Sequence, residues 1–219
     1  MNPTLREEKR LFKKKFKIIA SIDEAGRGSL AGPVVASAVL VDFYFIKKNR
    51  ILKNFPVKIN DSKKISSSKR KELFYFLKKQ KFIKWSLGIV SEKIIDKINI
   101  QKATELAIEK AIKKLERKIK QKIEFILVDG KQLNNKNLKK YKIKSIIKGD
   151  QKVYSIALAS IFAKVSRDII MEKYDKKFPY YGFRIHKGYG TKMHFKKIKK
   201  LGPCKIHRKT FAPIKNLVS

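Results

Sequence analysis

The stretch KIIASIDEAGRGSLAGPVVASAVLVDF, residues 17–43, decides the architecture. Its first part is an apolar, strand-like run that ends in the acids Asp23 and Glu24 and the turn-forming AGRG. Its last part, PVVASAVLVDF, reads as a second strand, rich in Val. No helix separates the two, so they pair antiparallel. An unpaired carboxylate at the end of an inner strand is costly. Neighbours on a regular strand face opposite sides. Asp23 and Glu24 therefore serve one site only if the chain bends, which the glycines of AGRG permit. A plain turn-forming acid at a strand end is the alternative.

Outward from this stretch, the first sixteen residues read as a basic, loosely held segment, and a basic loop runs from about 47 to 64. SSSKRKELFYFLKKQ predicts a helix capped near Ser66, with Leu73, Phe74 and Leu77 on one face. KWSLGIVS is a third strand. Ala103, Leu106, Ala107, Ala111 and Leu115 mark an amphipathic helix over 100–119. IEFILVDG is a buried strand and KIKSIIKGD another. Residues 153–177 predict a long helix stopped near Pro179. The loop YYGFRIHKGYGTK then leads into a last helix near 191–201. Early strands in direct succession and later strands fed by helices predict an α/β fold, a mixed sheet flanked by helices. No repeat or long linker divides the chain.

Composition narrows the function. The 219 residues carry 56 Lys+Arg against 18 Asp+Glu, a formal charge of +38. Arg supplies nine of the basic residues and Lys the other 47. A polyanion is the natural partner of such a surface, and an ordinary metabolic enzyme is excluded. Abundant Lys, Ile, Phe and Asn also fit A/T-rich coding, so the charge has two readings. Hydrophobic residues at 43% support a real core. The single Cys204 excludes an internal disulfide and a cysteine-built zinc site. MNPTLREEKRLFKKKF lacks the apolar core of a secretory signal. The longest apolar stretch, residues 31–41, is short of the roughly 20 residues that span a bilayer. A soluble, cytoplasmic protein without membrane association is expected.

Acids are scarce, so their placement carries weight. Asp129 ends the most hydrophobic late strand, and Asp150 ends KIKSIIKGD just before the long helix. Strand C-termini are where open α/β folds place functional groups. Each also suits a simple turn. Asp61 is a rival, and Asp168 reads as a helix-surface acid near Lys164 and Arg167. Several carboxylates together repel unless a hard divalent cation joins them, and oxygen-only ligation suits Mg²⁺ or Mn²⁺. On a basic protein such a cluster suggests phosphodiester hydrolysis. His186, His194 and His207 lack HExxH spacing and read as surface or loop-packing residues. Gly26, Arg27 and Gly28 let backbone approach a sugar or phosphate closely, with Arg27 available to a phosphate. Lys63, in DSKK, is a candidate phosphate contact in a chain already rich in lysine. Tyr189, between Gly188 and Gly190, is a ring able to stack on a nucleotide or simply to pack its loop. Trp85 reads as core.

IDEAGRGSLAGPVVASAV, NDSKKIS, VDG, KGD, SIALASIFAKVSRD, GYGTKMH and LGPCKIHRKTF occur in this order from about Ile18 to Phe211. Together they resemble the bacterial type 2 ribonucleases H, the ribonuclease HII family. The resemblance implies a ribonuclease H-like fold: a five-stranded mixed sheet flanked by helices, with a C-terminal helical segment. Residues 17–219 are expected to form one catalytic domain, and the protein is expected to be a monomer. It implies hydrolysis of RNA in RNA–DNA hybrids and incision 5′ to ribonucleotides embedded in duplex DNA, leaving 3′-hydroxyl and 5′-phosphate ends. The metal-binding acids fall on Asp23, Glu24, Asp129 and Asp150, with Mg²⁺ or Mn²⁺ as cofactor. The ribose-sensing motif falls on Gly26, Arg27 and Gly28, the stacking tyrosine on Tyr189, and a substrate-backbone contact on Lys63. Ser29 departs from the usual Pro, and SIALASIF from the commoner run of small residues. Two other readings stand beside it: a noncatalytic basic RNA-binding module, and a metal nuclease blind to ribose.

Overall fold

A computed structural model of the chain describes residues 3–48, 66–130 and 133–217. Five strands form one sheet in the order β3-β2-β1-β4-β5. β1 (Ile19–Ala25) pairs antiparallel with β2 (Val34–Val41), and β2 pairs antiparallel with β3 (Ile83–Val90). On its other side β1 runs parallel to β4 (Phe125–Asp129), which runs parallel to β5 (Lys142–Ile146). This is the mixed sheet the strand order predicted.

Alternation along β1 and β2 sends their side chains to two different layers. Ala20, Ile22, Val34, Ala36 and Ala38 meet α4 (Glu92–Ile119) through Ile108, Ile112 and Leu115. Each of these large side chains, fully buried, stabilises the fold by about 1.5–3 kcal/mol. α4 begins earlier than its periodicity indicated. Asn99, at φ 65, interrupts it, and its side chain accepts the Lys102 N–H at 3.1 Å, so the predicted helix from 100 is the second limb. Opposite, α6 (Tyr154–Lys177) and α3 (Ser67–Lys78) bury Leu73, Phe74, Leu77, Leu158 and Phe162 against Val39 and Val41. A short α2 (Phe43–Lys48) follows β2, and the Ser66 hydroxyl caps α3 by accepting the Lys69 N–H at 3.3 Å. Trp85 is half-buried at the edge of this layer, stacked on Phe162 at 4.8 Å.

The strand faces toward α6 also carry a polar layer. Ser21 and Ser155 hydroxyls lie 2.6 Å apart, and the Ser37 hydroxyl donates to the Ala159 carbonyl at 2.7 Å. Such small side chains bring α6 close to the sheet beneath Asp23.

The expectation of a loosely held N-terminus is corrected. Residues Arg6–Lys13 form α1. Leu11 packs against Ile19, Leu127, Val153 and Ile156. Buried Glu8 accepts the backbone N–H and the hydroxyl of Ser155 at 3.0 and 2.7 Å, which satisfies a donor at the start of α6. The dense positive charge hid this amphipathic turn. The loop after α6 also holds more structure than expected: α7 (Phe183–His186) precedes α8 (Lys192–Leu201). Together with residues 202–217, these pack Tyr181, Phe183 and Ile206 onto Ala31 and Met171. Among the described residues no helix is long and apolar enough to cross a membrane.

Candidate active site

Parallel pairing sets the site. Ile22 stands beside Val128 in the last parallel pair of β1 and β4, so the next residues, Asp23 within β1 and Asp129 at the end of β4, come to the same level. β5 ends at that edge too, and the Gly130 N–H donates to the Ile146 carbonyl at 3.0 Å. The chain then turns through Lys148, at φ 56, into the short α5 (Gly149–Lys152). The Gly149 N–H donates to Asp129 Oδ1 at 2.6 Å. Asp150 follows at once, 2% exposed. It therefore lies in the first turn of α5 rather than at a strand end, because β5 stops at Ile146.

A cleft of about 590 Å³ opens over these strand ends. Asp23, Glu24, Ala25, Gly26, Arg27, Gly28 and Asp129 line it from the sheet side. Arg70, Ser160, Lys164 and Tyr189 line it from the helices and the late loop. Asp150 and the three histidines are not among the lining residues. Lys63 and the rival Asp61 lie outside the described residues.

Asp23 is 7% exposed. Burial pushes its carboxyl well above the usual range, and the charges of Glu24 and Asp129 push it further. Hydrogen bonds from Ser160 and from the Glu24 N–H (2.7 Å) oppose that shift. Pairing of β1 with β2 runs unbroken through Ala25, so the bend falls later than the pair itself. It comes at Gly26, where φ is +93 and a Cβ would sit 2.0 Å from Arg167 Nε. No other residue fits that turn. Glu24 reaches the rim, where it pairs with Arg27 at 3.2 Å. Arg27 is thus held by a carboxylate as well as being open to solvent.

Tyr189 is half-buried, with Lys164 Nζ 5.3 Å and the Arg167 guanidinium 5.2 Å from its ring centroid. Ser29 pairs with Tyr189 in an isolated antiparallel bridge, so the residue that replaces proline is anchored. Arg70, Ser160 and Lys164 carried no sequence assignment. Ser160, Lys164 and Arg167 recur at helical spacing on one face of α6, which was the available signal. Asp168 is buried and bonded to Lys164 at 2.7 Å, which corrects its reading as a surface acid. The histidines pack their loops, and they are buried rather than superficial.

The carboxylates suit a hard cation. Their donors are all oxygen, and the mutual repulsion registered at Asp23 is what a divalent ion relieves. Among the described residues no three His, Cys, Asp or Glu side chains already form a closed metal-holding group.

The family model described as Ribonuclease HII matches residues 20–214. A ribonuclease HII of Pelagibacter ubique is 48% identical over 203 residues, 93% of this chain and 100% of that protein. One of Caldicellulosiruptor bescii is 44% identical over 212 residues, 97% of this chain and 94% of that protein. Among solved structures, ribonuclease H2 of Pyrococcus horikoshii superposes with a TM-score of 0.68 at 24% identity, covering 91% of this chain and 96% of that one. A Bst-RNase HIII described in complex with Mn²⁺ gives 0.67 at 18% identity, covering 91% and 68%. At such identities the two structures speak for the fold. The five-stranded mixed sheet, the match over residues 20–214 and the close relatives together place the chain in the ribonuclease HII family.

Proposed function

We propose that the cleft takes a duplex across a ribonucleotide and hydrolyses the phosphodiester on its 5′ side, leaving 3′-hydroxyl and 5′-phosphate ends. Membership in the family makes the chain a ribonuclease H, an endonuclease acting on RNA–DNA hybrids, and sets aside the noncatalytic RNA-binding module. The proposal extends this to single ribonucleotides in DNA and assigns the residues. One observation carries it: scarce acids, a glycine turn and an aromatic ring line the same cleft.

RNA and DNA differ at the 2′-hydroxyl, so a selective enzyme must contact it. Backbone groups of Gly26 to Gly28 supply that contact, since Gly28 has nothing within 4 Å of where a Cβ would stand. Tyr189 stacks on the sugar that follows and tests its placement. Arg70 and Lys164 face the phosphates from the helix side, and Lys63 adds a contact from its own segment. Asp23, Glu24, Asp129 and Asp150 would hold Mg²⁺ or Mn²⁺; the family is metal-dependent. Such an ion supplies, when bound, a more acidic water and charge neutralisation at the leaving 3′-oxygen. Asp129 is fixed for its part by the Gly149 N–H, and Asp23 by Ser160. The protein acts as a monomer.

Asp129→Asn tests the assignment. Hybrid cleavage should fall by about 100-fold or more, the scale of a lost ligand to an ion worth several kcal/mol. Hybrid affinity and the circular dichroism spectrum should stay close to wild type. Loss of folded structure in parallel with activity would remove Asp129 from the chemistry.

A further inference from the structure

Residues 204–208 lie far along the chain from the acids, yet they touch both loops that face the cleft. Ala31 pairs with His207 as Ser29 pairs with Tyr189. The Leu30 N–H donates to the Gly188 carbonyl, the Gly32 N–H to that of Ile206 and the Arg208 N–H to that of Leu30, each at 2.8 Å. Residues 29–32 are thus stitched between the Tyr189 loop on one side and residues 206–208 on the other.

Arg208 is wholly buried. Its Nη2 donates to the carbonyls of Gly26 at 2.6 Å and Gly32 at 2.9 Å. Its Nη1 donates to the Arg27 carbonyl at 2.8 Å, and its Nε to that of Gly32 at 3.0 Å. A buried guanidinium is tolerable only when its donors are met, and this fork meets them with backbone. A lysine has neither the fork nor the reach.

The neighbouring His207 acts on the other loop, and hydrogen bonds fix where each imidazole proton sits. The Cys204 N–H donates to His207 Nδ1 at 2.8 Å, while the Cys204 carbonyl lies at 3.3 Å from the same nitrogen; the shorter contact needs a lone pair on Nδ1 and assigns the proton to Nε2. His207 Nε2 lies 3.1 Å from His194 Nε2, which must then accept. The His194 proton is therefore on Nδ1, where it donates to the Tyr189 carbonyl at 3.0 Å. His186 stacks on His194 at 4.1 Å. Its Nδ1 accepts the Gly188 N–H at 3.1 Å, and its Nε2 donates to the Tyr181 carbonyl at 2.8 Å. Burial pushes His194 and His207 down to about 4, in keeping with three neutral rings.

We propose that the adjacent pair His207–Arg208 is a positioning device that sets the spacing between the Gly26–Gly28 backbone and Tyr189. Arg208 holds the first through the carbonyls of Gly26 and Arg27, and His207 holds the second through His194. The inference rests on the reading of those two loops as the elements that sense ribose. Both residues are buried and neither lines the cleft. Their effect is on alignment, where a shift of about 1 Å can cost on the order of 100-fold in rate.

The chain has three histidines, all in this cluster, so imidazole ¹⁵N–¹H spectra of the full chain report on it alone. The expected result at pH 7 is three neutral rings, His194 protonated on Nδ1, His186 and His207 on Nε2. A charged ring, or the opposite tautomer at His194 or His207, overturns the relay without any variant being made. On a duplex with one ribonucleotide, His207→Gln and Arg208→Lys should each lower kcat about tenfold, the worth of a charge-assisted or buried hydrogen bond, with KM within about twofold. In a Tyr189→Ala background, His207→Gln should lower kcat no further. A full additional loss there overturns the coupling while leaving Tyr189 in its role. An unchanged rate for Tyr189→Ala alone overturns instead the reading of the loops on which the inference rests.

Discussion

At Asp23, burial and the charges of Glu24 and Asp129 raise one carboxyl, while Ser160 and the Glu24 N–H work against them. A carboxyl whose folded pKa lies above its unfolded value contributes stability only below the unfolded value, and loses it as pH rises through the folded one. Asp23 therefore weakens the native state at neutral pH, a cost tied to its placement in the cleft. Asp23→Asn should abolish cleavage yet raise stability at pH 7 by about 1–3 kcal/mol, the scale of an uncompensated buried polar group. The gain should fade as pH falls to about 3, below the unfolded carboxyl's ordinary value of about 3.9, where Asp23 is protonated in both states. Urea midpoints at the two pH values check this; a less stable variant at pH 7 would contradict it. Asp23 and Asp129 were legible because acids are rare in this sequence and both close apolar strands. Ser160, Lys164 and Arg70 were not, since one serine and two basic side chains carry no contrast in so basic a chain. Asp168 was misread for a related reason: its neighbours suggested surface, while the helix turns it inward to Lys164.

Among elements, α4 and β3 depend on a close approach that only glycine allows. A Cβ on Gly88 would fall 1.8 Å from the Ala107 carbonyl oxygen and 2.7 Å from the Ala111 nitrogen. Both are helix backbone and have nowhere to move. Gly88→Ala should lower stability by about 3 kcal/mol, the upper range for overpacking, read as a drop in the urea midpoint. The cleft lies beyond the opposite face, so activity of the folded fraction should persist; a neutral effect on stability would show that α4 shifts freely. Strand order and helix spacing carried most of this level. β1 and β2 are long apolar runs with a glycine-rich turn, and the second limb of α4 has a clear 3.6-residue period. The N-terminal helix escaped because its two buried residues, Leu11 and Glu8, stand amid basic ones. α7 escaped because four residues are too few to show a period.

Over the whole molecule, net charge and catalytic apparatus are separable. The charge of +38 draws any duplex through its phosphates, with no regard for ribose. Discrimination has to come from the cleft, which glycine backbone, Tyr189, Asp23, Glu24 and Asp129 line. Affinity for an all-DNA duplex should therefore fall about a thousandfold between 50 and 200 mM salt, as for a protein meeting roughly six phosphates. A shallow salt dependence would mean that most lysines face away from the duplex. That Asp23 and Asp129 stand at one level could not be read from their spacing. It depends on parallel pairing of β1 with β4, which brings residues about a hundred positions apart together. The resemblance carried by DEAGRG and VDG implied that neighbourhood, and the sheet register gives its physical cause.

A metal-dependent cut chosen by a single ribose can be read from a labelled DNA duplex holding one ribonucleotide, incubated with Mg²⁺ or Mn²⁺ beside an all-DNA duplex and an EDTA control. The expected result is a cut 5′ to the ribonucleotide with either ion, none with EDTA, and an intact all-DNA duplex. Tight binding without cleavage under both ions, or equal cleavage of both duplexes, would contradict it.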